Sequence, residues 1–274
     1  MAFLPRCSSV QEASESFSQH GACLITAEAG LGASKPTRML LEQWCFEADL
    51  YMHDSRHWKA WARSSRHMHP SPDRWQRYYM NDYGNFKYEA WQALSAEVFH
   101  AEGLSHLICQ CMACETVDVS QWGGDCVKSG CEHGQMMHSD QQDQASPVLA
   151  QPPPLWIAAS WALGDIGPHN GALYFAGRHA MNDAPFVIPP AIWYPAEIDS
   201  ALGLASGIVM MKRGDVLLRD PRIWHCGTAN SSPEDRFLPG AVFFNKAGDR
   251  DRKAPSTCAC YAFGARRFPL CSLM

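Results

Sequence analysis

Residues 212–244 read KRGDVLLRDPRIWHCGTANSSPEDRFLPGAVFF. Two apolar runs stand out, 215–219 and 236–244, separated by turn-forming residues. Short apolar runs bounded by Gly, Pro and Asp read as β-strands rather than helices. His225 falls near the end of one β-like run and Arg236 begins the next, eleven residues later. A hairpin through the polar stretch Gly227 to Asp235 is expected to bring the Arg236 guanidinium back toward the His225 imidazole.

Working outward, similar short runs lie at 155–163, 171–176 and 207–211, and the segment 105–119 is dense in β-branched, Cys and apolar residues. The N-terminal part differs. Residues 1–20 are polar and Ser-rich, an ordered edge or a loose end. Leu40, Leu41, Trp44, Cys45, Ala48, Tyr51 and Met52 recur at helical spacing within 36–64, and 86–104 reads as another helix, stopped near Gly103. Residues 65–85 read as a loop, as does the Gly- and Cys-rich stretch Gln121 to Gly134, which is expected to form part of the entrance. The pattern predicts a mainly β chain with flanking helices. It is one domain over 1–274: a mostly helical part at 1–104, a sandwich or barrel at 105–250 and a tail at 251–274. The Pro-rich stretches 152–154 and 185–195 are expected to loop over the mouth of the barrel.

Composition narrows the function classes. The chain has 274 residues, 46% of them apolar, enough for a sizeable core. Lys+Arg 23 against Asp+Glu 28 gives −5, which argues against a nucleic-acid partner, since phosphate binding needs a basic face. No run of 18 apolar residues is present, so no transmembrane helix is expected. The N-terminus has no continuous apolar signal region. Twelve cysteines in a chain of this length read as reduced and buried, in a cytoplasmic setting. Cys109, Cys111, Cys114, Cys126, Cys131 and His133 cluster, but not at the spacing of a zinc ribbon. The last four residues, Cys271-Ser272-Leu273-Met274, fit a prenylation signal at Cys271 that would associate the chain with a membrane.

The chemistry is carried by His138, Asp140 and His225. His138 and Asp140 are two apart, and on a strand such positions face the same way. With His225 they make two imidazoles and one carboxylate, the facial triad of non-haem iron(II), which leaves coordination positions open. Arg236 adds a rigid fork suited to a carboxylate.

Three blocks in order, GQMMHSDQ, WALGDIGPHNGALYFAGRH and KRGDVLLRDPRIWHCGTANSSPEDRF, resemble the phytanoyl-CoA dioxygenase-like branch of the iron(II)/2-oxoglutarate oxygenases. The resemblance covers roughly residues 105–245. It implies a double-stranded β-helix, a cupin-like jelly-roll core, with Fe(II), 2-oxoglutarate and O2. It implies His138, Asp140 and His225 as iron ligands and Arg236 as the site for the distal carboxylate of 2-oxoglutarate. Gln135 and Trp161 match positions that contact the cosubstrate in related proteins. Many members carry a hydroxyl residue two after the distal His; Gly227 stands there, and Thr228 is the candidate substitute. Asp140 stands where related halogenases have a small residue, which favours hydroxylation. The expected reaction oxidises a C–H bond of a small-molecule metabolite, with succinate and CO2 as co-products. The rival readings are a cupin-like metalloenzyme that does not use 2-oxoglutarate and a non-catalytic jelly-roll binding module.

Overall fold

The computed structural model describes residues 4–30, 33–53, 74–77, 103–132, 134–135, 140, 153–175, 207–223 and 225–245. His138, most of the expected helix at 86–104, the loop at 185–195 and the tail with Cys271 lie outside the described residues.

In chain order the elements are β1 (Arg6–Cys7), α1 (Val10–His20), β2 (Ala22–Ile25), a 3-10 turn (Ala27–Ala29), α2 (Lys35–His53), β3 (Arg74–Arg77), α3 (Leu104–Met112), β4 (Val117–Val127), β5 (Trp156–Trp161), β6 (Leu173–Phe175), β7 (Gly207–Val209), β8 (Val216–Arg219), β9 (His225–Gly227) and β10 (Arg236–Asn245). They build a seven-stranded sheet, β1-β2-β8-β5-β10-β4-β3, and a three-stranded sheet, β7-β6-β9. Among the described residues all strand pairings are antiparallel except β1 with β2. Among the described residues no helix is long and apolar enough to cross a membrane.

The large sheet has two apolar cores, one on each face. Ile157, Ala159, Trp161, Val216, Leu218, Ala241 and Phe243 pack with Phe17 of α1, Leu41 of α2 and Leu107 and Ile108 of α3. The alternate residues Leu24, Leu217 and Leu238 pack with Leu173, Phe175 and Val209 of the small sheet. The site lies in this second layer, between the two sheets.

Four local expectations are corrected. Residues 104–112 form a helix, not the start of the barrel. Leu104, Leu107, Ile108 and Met112 are buried at 3-1-4 spacing, the stripe of a helix. The β-branched and cysteine content that suggested a strand sits on a 3.6-residue period. Arg74–Arg77, within the expected loop, is a strand paired with β4. The Gly-rich stretch from Gln121, expected to belong to the entrance, continues β4 as far as Val127. β9 and β10 do not form a hairpin, since they belong to different sheets.

The N-terminal segment is also more than an edge. Ser9 caps α1 by accepting from the Glu12 N–H, and Gly21 ends it at φ 70° while donating to the Phe17 carbonyl. That reversal delivers β2 to pair with β8, so the large sheet draws strands from both sides of residue 105.

Most of the described thiols are buried: Cys7, Cys23, Cys45, Cys126, Cys131 and Cys226. Burial pushes the Cys111 thiol up to about 12 and that of Cys114 up to about 11, away from the thiolate a metal needs. Among the described residues no group of three or more His, Cys, Asp or Glu could hold a metal ion.

Candidate metal centre and carboxylate clamp

The turn between β8 and β9 organises the candidate metal ligands. Asp220 and Arg222 form a fully buried ion pair inside it: Arg222 Nε donates to Asp220 Oδ1 at 2.8 Å and Nη2 to Oδ2 at 2.5 Å. The Arg222 backbone N–H also donates to Oδ1, at 2.9 Å. A buried pair with its hydrogen bonds made holds a turn in one shape. Two carbonyls of that turn then hold the candidate ligands. Pro221 O accepts from the Asp140 N–H at 2.9 Å. Ile223 O lies 2.9 Å from His225 Nδ1.

The second contact fixes the tautomer. A carbonyl oxygen only accepts, so Nδ1 carries a proton, and in the neutral ring Nε2 keeps its lone pair, the state a metal ligand requires. His225 is 1% exposed and pairs in register with Phe175, whose ring meets the imidazole edge-on at 6.1 Å. Nε2 lies 3.9 Å from Asp140 Oδ2. Two donors at adjacent (cis) positions of one first-row metal, each at about 2.1 Å, are about 3.0 Å apart. The donor set is that of a shared ion, and the two donors stand about 1 Å wider than a facial pair. Asp140 is further held by the buried Arg219, whose Nη2 is 2.6 Å from Oδ2.

Arg236 enters from the large sheet. Pairing of β10 with β4 sets Leu238 opposite Asp125 and Arg236 opposite Val127. The guanidinium is buried. Nη2 donates to Asp125 Oδ2 at 2.7 Å and to Gly171 O at 2.5 Å, and Nη1 to Asp125 O at 3.2 Å. Gly171 has φ +73°, and a Cβ there would come within 3.2 Å of Arg236 Nε, so a larger residue is strained and crowds the guanidinium.

The other expected residues divide. Gln135 Oε1 accepts from the Gly227 N–H at 2.7 Å and its N–H donates to Gly227 O at 2.8 Å, tying the chain before His138 to β9. Thr228 Oγ1 donates to Ala172 O at 3.0 Å, a backbone tie inside the small-sheet layer. Trp161 is not brought to the site. It sits at 1% exposure in the helix-side core, on the opposite face of the sheet from Arg219 and Arg236. Its place in an alternating strand, Ile157-Ala158-Ala159-Ser160-Trp161, decides this.

Asp125, Arg219 and the Asp220–Arg222 pair were missed by reading the sequence. For Arg219 a signal existed: a charge ending the buried run Val216-Leu217-Leu218, two residues on from an inward Leu217. For Asp125 none did, because only strand register sets it beside Arg236.

The family model for phytanoyl-CoA dioxygenase (PhyH) matches residues 55–238, about two thirds of the chain. No curated protein matches significantly. Among solved structures, HygX from Streptomyces hygroscopicus, with nickel and 2-oxoglutarate bound, is similar with TM-score 0.59 and 13% identity, over 86% of this chain and 87% of that one. AviO1 from Streptomyces viridochromogenes Tue57 gives 0.57 and 16%, over 88% and 97%. EctD from S. alaskensis, with 2-oxoglutarate and 5-hydroxyectoine, gives 0.56 and 14%, over 90% and 78%. These likenesses show the jelly-roll fold. On the family match, the chain belongs to the phytanoyl-CoA dioxygenase family and is a non-haem iron(II) oxygenase that uses 2-oxoglutarate and O2.

Proposed function

We propose that the chain oxidises a C–H bond of a small-molecule metabolite, by hydroxylation, with His138, Asp140 and His225 holding the iron and Arg236 receiving the distal carboxylate of 2-oxoglutarate. The observation that carries this is the pairing of His225 Nε2 with Asp140 Oδ2 at 3.9 Å, with Nδ1 anchored on Ile223 O. When bound, iron and 2-oxoglutarate supply the oxidising power for the C–H bond, with succinate and CO2 released. The chain's own residues do the rest. Ile223 O holds the imidazole in one tautomer. Arg219 and the Pro221 carbonyl hold the Asp140 carboxylate and its backbone, so that the ligand is oriented before the ion arrives. The apolar layer of Leu173, Phe175, Val209 and Leu217 excludes water beside them.

A small-molecule substrate is supported by the bound ligands of similar folds, such as 5-hydroxyectoine in EctD. A cytoplasmic setting is part of the same proposal and is supported by the many buried thiols.

The test is anaerobic visible absorption. Iron(II) and then 2-oxoglutarate are added to metal-free protein, with Arg236→Ala in parallel. The expected result is a charge-transfer band in the wild type that needs a higher 2-oxoglutarate concentration in the variant. A folded, iron-loaded protein with no band would remove the 2-oxoglutarate assignment.

A further inference from the structure

The Arg236 guanidinium already has a carboxylate. Asp125 Oδ2 takes one Nη2 hydrogen, the Gly171 carbonyl takes the other, and the Asp125 carbonyl takes one from Nη1. Carboxylates bind Arg best through two parallel hydrogen bonds. Each of the two edges that could offer such a fork includes Nη2, and both Nη2 hydrogens are in use.

We infer that Asp125 is an internal competitor of the cosubstrate's distal carboxylate for Arg236, and that it sets how tightly 2-oxoglutarate is held. This rests on the reading that Arg236 receives that carboxylate. Two observations beyond the ion pair support it. Asp125 Oδ1 and Arg236 Nε are both buried and make no hydrogen bond, so the pair uses one carboxylate oxygen and leaves the Nε edge half satisfied. That edge faces the missing Cβ of Gly171, where any larger residue would crowd it.

The electrostatics give the direction. Arg236 and Asp125 are 4% and 5% exposed, and their charges cancel. A second carboxylate on the same guanidinium leaves one uncompensated negative charge in a buried site, and two carboxylates close together repel. The cosubstrate therefore binds against Asp125, by displacing it from Nη2 or by sharing Arg236 with it. Asp125 keeps the buried cation matched when the cosubstrate is away, and weakens the cosubstrate when it comes.

Asp125→Asn keeps the size and an oxygen acceptor but removes the charge. 2-Oxoglutarate is titrated anaerobically into iron(II)-loaded wild type and variant, and the visible band gives the dissociation constant. Tighter binding in Asp125→Asn, by about tenfold or roughly 1.4 kcal/mol, is expected. Equal or weaker binding overturns the proposal and makes Asp125 a support for Arg236. A band absent from both proteins overturns the 2-oxoglutarate reading as well, whereas a band in the wild type with no gain in the variant overturns this inference alone. If the variant does not fold, the wild type decides by itself. Its affinities for 2-oxoglutarate and for the 5-methyl ester, which lacks the distal charge, are expected to differ by less than about tenfold, and a larger preference for the diacid overturns the proposal.

Discussion

The two faces of the seven-stranded sheet differ in whether charge interrupts the apolar packing. Toward the helices, Ile157, Ala159, Trp161, Val216, Leu218, Ala241 and Phe243 make an unbroken apolar layer. Toward the small sheet, one step along the same strands, stand Ser160, Arg219 and Arg236, with Asp125 across from them, all at most 7% exposed. The pleat makes this possible, because successive side chains point to opposite faces. The first face is stabilised by buried area, at about 25 cal/mol per Å². The second contains charges whose removal from water costs several kcal/mol each before pairing offsets it. The helix-side layer holds the sheet together, and the ionic layer is where we propose that the chemistry sits.

The largest effect that would break this division is at the metal ligands. His225→Ala and Asp140→Ala are expected to reduce turnover by more than about 1,000-fold, beyond the roughly 10–100-fold typical of residues that only support ligands. Turnover is followed as succinate release, with circular dichroism as the check on folding. A variant that keeps 2-oxoglutarate-dependent turnover would move the site away from the inner face.

Next is the cost of breaking the inner ion pair. Arg236→Met leaves Asp125 buried with its guanidinium gone, and is expected to lower stability by about 3–5 kcal/mol in urea unfolding. Adding Asp125→Leu is expected to recover most of that loss, because a well-packed apolar pair is often as stable as a buried ionic one. A double variant no more stable than the single one would mean that the pair's geometry, and not its charge balance, holds β10 to β4.

The helix-side face gives the converse. Trp161→Phe is expected to cost about 1–2 kcal/mol as a shape change in a packed core, with the affinity for 2-oxoglutarate unchanged. A shift in that affinity would restore Trp161 to the site and contradict its place opposite Arg236.

The same division explains what could be read from the sequence. Strands at 156–161, 173–175, 207–209, 216–219 and 236–245 were legible because each is a short apolar run between turn residues. His225 and Arg236 could be singled out as candidates because a polar stretch separates two β-like runs there, and a family pattern runs through both. Leu104–Met112 was misread because its apolar residues are dense enough to satisfy either period, and packing against α1 selects the helix. Ala22–Ile25 was hidden in a polar context, although all four of its residues are buried. Asp125 was beyond reach. Its neighbours in sequence are two glycines and a cysteine, and its partner lies 111 residues away through the register of β4 with β10. Local pattern reports the face a residue takes, while pairing between distant strands reports what it meets there.

The smallest effect contrasts the inner ion pair with one at the protein surface. Asp165 Oδ2 is 2.7 Å from Lys212 Nζ, and Oδ1 accepts from the Arg213 N–H at 3.0 Å, with both side chains of the pair about two thirds exposed. Lys212 and the Arg213 amide hold this carboxyl below the usual Asp range. Its folded form thus releases its proton at lower pH than the unfolded chain does. The resulting stability is fully present above the ordinary Asp pKa, and is lost as pH falls through that range and past the folded value. Water screens the pair, so Asp165→Asn should cost less than about 1 kcal/mol at neutral pH. The gap between wild type and variant in urea midpoint is expected to shrink as the solution is acidified and also as salt is added. A gap that stays constant with pH would mean that Asp165 acts through its hydrogen bond to the Arg213 N–H, which Asn preserves only in part, and not through its charge. The inner pair carries the same kinds of charge at 4% and 5% exposure, and its far larger expected cost comes from the surroundings rather than from the ions.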